Sequence, residues 1–469
     1  MQDGACTRKI GLISLVTALL ACLAPGRAAA QNYDRYYGPN TAVKAASQHA
    51  SLSHSELLTE IQARLTALEA TRGAADDGDV KVKVIDIQKK PSHKLRGRMY
   101  FDQLWMDDLE GPGGFVDEQN NQTGFDTVRL GITGNIYENI KYTAEFEFEG
   151  EEVDYKDASA TLTDLAWVGN FQLGHFKEVA GLEQMTSSRF VTFMERSAPT
   201  NNFTPGRNLG IMLYNHFDTN QRWSWWAGLF RGQSADDDAD VDSDSNDWAG
   251  TFRVAGLPYY DEHNGRCLLH LGAWVSTRRT GEFGGKGGSG DWEGFLGLDS
   301  RDGPINVDLG DNTEFNVYAY EVGYMRGAFF IQNETFFADV PSTASGDGFD
   351  VYGTYVTVGY FLTGENRGYK KSGKSFDRVK PYEPFFLINT SNGVAGGLGA
   401  WEIAARWSFS DLSVPGEVPG TQENITLGLN WYLNPYSRMM LNYVHSISDV
   451  TSFGAFEGDH LGMRFQIDW

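Results

Sequence analysis

The chain is poor in cysteine. Of its three, Cys6 and Cys22 fall within the first thirty residues, which leaves Cys267 alone in the remainder. That excludes an internal disulfide framework and a thiolate metal site. Long apolar runs are missing too. After residue 30 none approaches the roughly 20 residues that a membrane-spanning helix needs, and the mean hydropathy is −0.38. Catalytic signatures are equally scarce. The nine histidines show no H-E-x-x-H spacing, and there is no G-x-S-x-G elbow. Gly284 to Gly288 is glycine-rich but lacks the Lys-Ser/Thr ending and following helix of a phosphate loop. Neither an enzyme nor a cofactor is therefore expected. Positive charge is the minority sign, with 39 basic against 62 acidic residues and a net charge of −23. This argues against nucleic acid as a partner and fits a cell-surface protein with solvated acidic loops.

What is present begins with an export signal. Arg8 and Lys9 precede an apolar stretch from Ile10 to Ala24, and Ala28-Ala29-Ala30 supplies an A-x-A cleavage site before Gln31. Leu19 to Cys22 loosely resembles a lipoprotein box, which would instead anchor the chain through an acylated Cys22; the A-x-A site is the cleaner of the two. Removing residues 1–30 takes away Asp3, Arg8, Lys9 and Arg27 (net +2) and moves the chain from −23 to −25. Residues 31–93 read as a separate N-terminal segment. Within it Leu58, Ile61, Leu65 and Leu68 step by three and four, the seam of a short coiled coil over 55–71. Two heptads are too short to be stable alone, so self-association or packing beside something larger is expected.

From residue 94 to 469 the texture is uniform: alternating segments of about ten residues, the length of a barrel strand, broken by Gly, Asn, Asp and Pro. Ile140, Tyr142, Ala144, Phe146 and Phe148 share one parity, and Lys141, Thr143, Glu145, Glu147 and Glu149 the other. A period of two sends the sets to opposite faces of a strand. Leu461, Met463, Phe465, Ile467 and Trp469 repeat the pattern in the last segment. Trp and Tyr recur at segment ends, where their rings suit a water–lipid boundary. Connections alternate long and short, as in transmembrane barrels with short periplasmic turns and long outer loops. The fold expected is an all-β, closed antiparallel transmembrane β-barrel in the bacterial outer membrane. Its strand number is near sixteen. Seventeen candidates can be counted, and the weakest is Lys380 to Ile388, because Pro381 and Pro384 each remove a ladder hydrogen bond. Dropping it leaves Glu365 to Leu398 as an unusually long periplasmic connection.

Between Phe171 and Arg207 the runs Leu173-Gly174-His175-Phe176-Lys177-Glu178, Thr186-Ser187-Ser188-Arg189 and Thr192-Phe193-Met194-Glu195-Arg196-Ser197 are distinctive. With Pro205 to Gly210, Phe361 to Glu365, Ala400 to Arg406 and Leu429 to Pro435, they resemble the phosphate-selective porin O and P family over residues 94–469. The resemblance implies a sixteen-stranded barrel, a homotrimer, and an outer loop folded inward to narrow a water-filled pore. Members that prefer phosphate use ladders of arginine and clustered lysine. Here Arg98, Arg129, Arg253, Arg406 and Arg464 sit at inward parity, but so do Asp102, Glu145, Glu147 and Glu402. The expectation is passage of small polar or ionic solutes with at most a mild anion preference.

Lys177, Arg189, Glu195, Arg196 and Arg207 fall in or beside the connection after the fifth strand and are the constriction candidates. A second basic cluster, Arg367, Lys370, Lys371, Lys374, Arg378 and Lys380, would either draw anions to a pore mouth or form a solvated loop contacting acidic neighbours or lipid headgroups. Asp240, Asp242 and Asp244 form a weak calcium candidate, without the Gly and distal Glu of an EF-hand loop. Two other functions are open: a structural barrel tethered to the envelope by its coiled coil, and a soluble carbohydrate-binding β protein.

Overall fold

The computed structural model describes residues 91–469, apart from 112–115, 118–120, 150–152, 232–247, 280–291, 294–304, 308–313, 342–347, 415–419, 451–453 and the single positions 387 and 392. The signal, the coiled coil and the aspartate run at 240–244 lie outside the described residues.

Sixteen long strands make the wall: β1 Ser92–Met106, β2 Gln122–Tyr137, β3 Ile140–Glu147, β4 Asp154–Leu165, β5 Gly169–Lys177, β6 Arg207–His216, β7 Trp223–Arg231 and β8 Trp248–Tyr260. They continue as β9 Cys267–Arg279, β10 Glu314–Arg326, β11 Phe329–Val340, β12 Phe349–Phe361, β13 Ala400–Leu412, β14 Gly420–Asn434, β15 Ser437–Val450 and β16 Gly454–Asp468. Each pairs antiparallel with its sequence neighbours, and β16 returns to β1 with Asp102 opposite Arg464, so the sheet closes and no edge is left unpaired. Trp469 seals this seam by exchanging backbone hydrogen bonds with Gly97. Gly97 has to be small, because a Cβ there would lie 2.3 Å from the Trp469 ring.

The alternation seen in the sequence sorts the two faces. On β3 and just past its end, Phe146 and Phe148 are exposed while Glu145 and Glu147 are buried inside. The exposed face is lined with Leu, Ile, Phe, Trp and Tyr, among them Trp105, Phe252, Tyr318, Ile403, Trp407 and Leu427. A ring of apolar side chains facing outward around a closed sheet is the arrangement that lipid satisfies. Strand β8 runs through Pro258 to Tyr260. The register shift between Gly256 and Tyr259 accommodates its missing N–H.

Turns at one end are short, at 138–139, 327–328 and 435–436. The exception at that end is residues 362–399. They form no spanning strand, in line with the prolines at 381 and 384, but two short hairpins, Gly368–Lys370 with Ser375–Asp377 and Ile388–Thr390 with Gly393–Ala395. At the opposite end the connection 178–206 carries two brief helices, α1 Leu182–Met185 and α2 Ala198–Phe203.

Candidate functional site

The connection 178–206, called here L3, turns into the barrel and is held along its whole length. Its first residue, Glu178, accepts from Asn208 Nδ2 (2.6 Å), Thr251 Oγ1 (2.6 Å) and Arg278 Nη2 (2.9 Å). Helix α1 begins at Gly181, which has no capping side chain. The wall provides the cap instead: Glu334 of β11 accepts from the Leu182 and Glu183 amides at 2.6 and 2.7 Å, as a carboxylate at a helix N-terminus should. Helix α2 carries its own Ser197 cap. It lays Phe203 flat on Phe336, ring centroids 5.9 Å apart.

Between the helices L3 runs through a turn and a series of bends, and wall side chains take up its backbone. Arg438 donates to the Val191 carbonyl (2.7 Å), Asn430 to Thr192 (2.7 Å), Arg464 to Met194 (3.0 Å), Arg406 to Glu195 (2.9 Å) and Gln466 to Arg189 (3.1 Å). Asn442 accepts from the Met194 amide at 2.7 Å. Strands β13 to β16 thus carry a ladder of donors matched to one stretch of loop. Glycines leave room for it: a Cβ at Gly353 would stand 2.8 Å from Phe203 and 2.9 Å from Pro199. Replacing Gly353 by Leu is expected to lift α2 from the wall and change single-channel conductance while circular dichroism still reports an intact barrel.

A second segment enters from the other end. In 362–399, Arg367 and Lys374 are buried. Arg367 donates to Gln332 (3.0 Å) and stacks on Phe376 at 3.8 Å. Lys374 Nζ donates to the Gln221 carbonyl (2.7 Å) and Ser224 Oγ (2.9 Å), while its own carbonyl accepts from Arg253 (3.0 Å). The two intruding segments meet where the Phe376 amide donates to Thr186 Oγ1 of L3 at 3.2 Å. Five of the six basic residues thus take specific places. Lys371 pairs with Glu262 at 3.0 Å, Arg378 pairs with Asp468, and Lys370 borders the cavity described next; only Lys380 is simply exposed. Contact with acidic neighbours is thus found at Lys371 and Arg378, whereas Arg367 and Lys374 are buried rather than solvated.

Burial lowers the Lys374 ammonium to about 8, and the nearby Arg253 charge adds to the effect. The sign follows from linkage. From pH 8 to the ordinary lysine value of 10.5, the folded chain has lost a proton that the unfolded chain keeps, so folding gains stability as pH rises through that window. Lys374→Met is expected to remove this gain, checked by urea unfolding midpoints at pH 7 and pH 10.

What the two segments leave open is a cavity of about 550 Å³ against strands β1 to β5. All five constriction candidates, Lys177, Arg189, Glu195, Arg196 and Arg207, border it. Of the inward-parity residues, Arg98, Arg129, Glu147 and Arg464 border it as well. Asp102 and Glu145 lie directly behind. Glu145 accepts from Arg96 (2.6 Å), Arg98 (2.9 Å) and Arg129 (3.2 Å), and Asp102 takes a two-pronged bond from Arg464 at 2.7 and 2.6 Å. Arg253, Glu402 and Arg406 face inward but away from the cavity, because Arg253 is spent on Glu321 (2.7 Å), Arg406 on L3, and Glu402 on Asn430 (3.0 Å) and Tyr432.

Seven charged cavity residues lie outside the constriction and lumen-facing candidates: Arg96, Asp126, Glu149, Asp154, Lys156, Asp157 and Lys370. Arg96 shares the parity of Arg98 and was findable from it. Asp157 pairs with Arg207 at 2.9 Å. The cavity surface carries ten Lys and Arg against six Asp and Glu; adding Glu145 and Asp102 still leaves a cationic excess of two in a chain of net −23. Two of the cations, Lys177 and Arg196, donate to carbonyls of Gln184, Glu183 and Thr186. A carbonyl satisfies the donor without cancelling its charge.

A closed sixteen-stranded barrel with an inward loop and a charged cavity now meets the comparisons with known proteins. The family model described as phosphate-selective porin O and P matches residues 98–469. The chain belongs to that family. Porin O of Pseudomonas aeruginosa is 26% identical over 456 residues, covering 88% of this chain and 97% of that protein. An uncharacterised Caulobacter vibrioides protein is 27% identical over 362 residues, 75% of this chain and 68% of the other. Among solved structures, OmpT, an outer-membrane protein of Vibrio cholerae, aligns over 81% of this porin and 98% of its own chain with a TM-score of 0.51. At 9% identity that likeness speaks to the fold alone. The porin is therefore an outer-membrane channel for solutes and not an enzyme.

Proposed function

We propose that this porin is a homotrimeric diffusion channel with a mild preference for small anions. The constriction is set by Lys177, Arg189, Glu195, Arg196 and Arg207. The observation that carries the reading is the cationic excess around the cavity, with Lys177 and Arg196 bound to carbonyls rather than carboxylates. In water two unit charges about 7 Å apart interact by roughly 0.6 kcal/mol, and 0.1 M salt about halves that. A few such charges suffice for a several-fold bias, not for tight capture of phosphate. Mixed charges along the wall also set up a transverse field that eases polar solutes past the narrow region. Trimer formation rests on the family resemblance and on small side chains at outward parity, Ala144 paired with Ala158 and Ala160 with Tyr142.

The test is a planar bilayer with a tenfold KCl gradient. Conductance steps in threes and a reversal potential of anion-selective sign, well short of the roughly 59 mV ideal limit, are expected. A cation-selective sign overturns the anion reading, and single steps overturn the trimer. Phosphate is expected to lower chloride current only at high concentration.

A further inference from the structure

The segment that follows the inserted part of 362–399 leaves the lumen and comes out on the lipid side of the barrel. From Pro384 to Trp401 the sequence has no Asp, Glu, Lys or Arg, in a chain in which 22% of residues are charged. Two other connections at this end are rich in charge, with Asp218 and Arg222 in one and Asp261, Glu262 and Arg266 in the next. The uncharged segment nonetheless exposes its apolar side chains: Phe386 69%, Leu398 71%, Val394 67% and Ile388 43%.

Its position explains the exposure. Trp401 of β13 and Trp431 of β14 stack with centroids 4.9 Å apart, and both indole N–H groups donate to the Leu398 carbonyl, at 3.1 and 2.8 Å. Phe385 sets its edge on Trp431 at 4.4 Å, and its amide donates to the Leu433 carbonyl at 2.7 Å. Trp401 and Trp431 share their strands' outward parity with Ile403 and Leu427, both exposed on the lipid face. The segment is therefore continuous with the lipid-facing belt at its periplasmic border. Part of its backbone is also satisfied without water, since Ile388–Thr390 and Gly393–Ala395 pair with each other. Aromatic rings around a polar hairpin match the headgroup level, where tryptophan settles.

We propose that the hairpin Ile388–Thr390/Gly393–Ala395, with Phe385, Phe386 and Leu398, docks into the headgroup–acyl boundary of the periplasmic leaflet. It extends the lipid contact beyond the strands and fixes the outer end of the connection whose inner end sits in the pore. The partner is phospholipid, recognised by apolar insertion rather than by charge.

Single cysteines at Val394, Leu427 and His263, in a Cys267→Ser background, carry a bimane label in vesicles of phosphatidylcholine. Leu427 reports the lipid belt, and His263 an exposed turn at the same end. The Val394 label is expected to be quenched strongly by lipid brominated near the headgroup and several-fold less by aqueous iodide. Quenching like that at His263 would overturn the proposal. So would protection from both quenchers, which would mean that a second copy or another protein covers the hairpin. If Val394→Cys does not fold, Leu398→Cys replaces it under the same criteria. The readout is quenching rather than current, so this result is independent of ion selectivity.

Discussion

Exchanging both Lys177 and Arg196 for glutamate is expected to invert the reversal potential in a tenfold KCl gradient from anion- to cation-selective. Each exchange changes the local charge by two, and the cationic excess around the cavity is itself only two. The double exchange therefore leaves a deficit of two. Lys177→Gln alone is expected to weaken the preference without inverting it. Both side chains donate to L3 carbonyls, so the glutamates must also turn away from those oxygens. The control is conductance: a barrel with an intact L3 keeps its step size within a small factor while its selectivity changes sign. An unchanged reversal potential would place the ion path elsewhere and sink the assignment of the constriction.

The second large effect is expected at Glu334. Replacing it with Ala deprives the Leu182 and Glu183 amides of their acceptor inside a buried helix start, at about 1–3 kcal/mol for each orphaned donor. Barrel stability rests mainly on the interstrand ladder, so the loss falls on L3. The expected outcome is a larger and noisier conductance, faster proteolytic nicking near Gly181, and a modest drop in unfolding midpoint. Glu334→Gln, which keeps one acceptor oxygen, is expected to fall between wild type and Glu334→Ala. Equal conductance in all three proteins would show that this carboxylate does not hold the loop.

Parity carried the sequence reading a long way. Glu145 and Glu147 alternate with Phe146 and Phe148, so the face each would take was legible in the sequence; the same pattern offered seventeen candidate strands, and Pro381 and Pro384 marked the one that does not span. Parity says which side of a sheet a residue faces, not what lies on top of it. Arg253, Glu402 and Arg406 face inward, yet L3 and the 362–399 segment cover them, and only the tertiary structure reveals that. Asp157 was hidden for another reason. A register shift between Glu145 and Phe146 in the β3–β4 pairing breaks the alternation beside it. Lys370 lies on no wall strand, and nothing in its local sequence says that a periplasmic connection turns into the lumen.

One guanidinium does two jobs at the place where the barrel closes. Arg464 of β16 grips Asp102 of β1 across the first-to-last strand junction, and with its remaining nitrogen it holds the Met194 carbonyl. The last strand to be made therefore brings the clasp for the first strand and the latch for the eyelet together. Shutting the cylinder and holding its aperture thus draw on one and the same side chain.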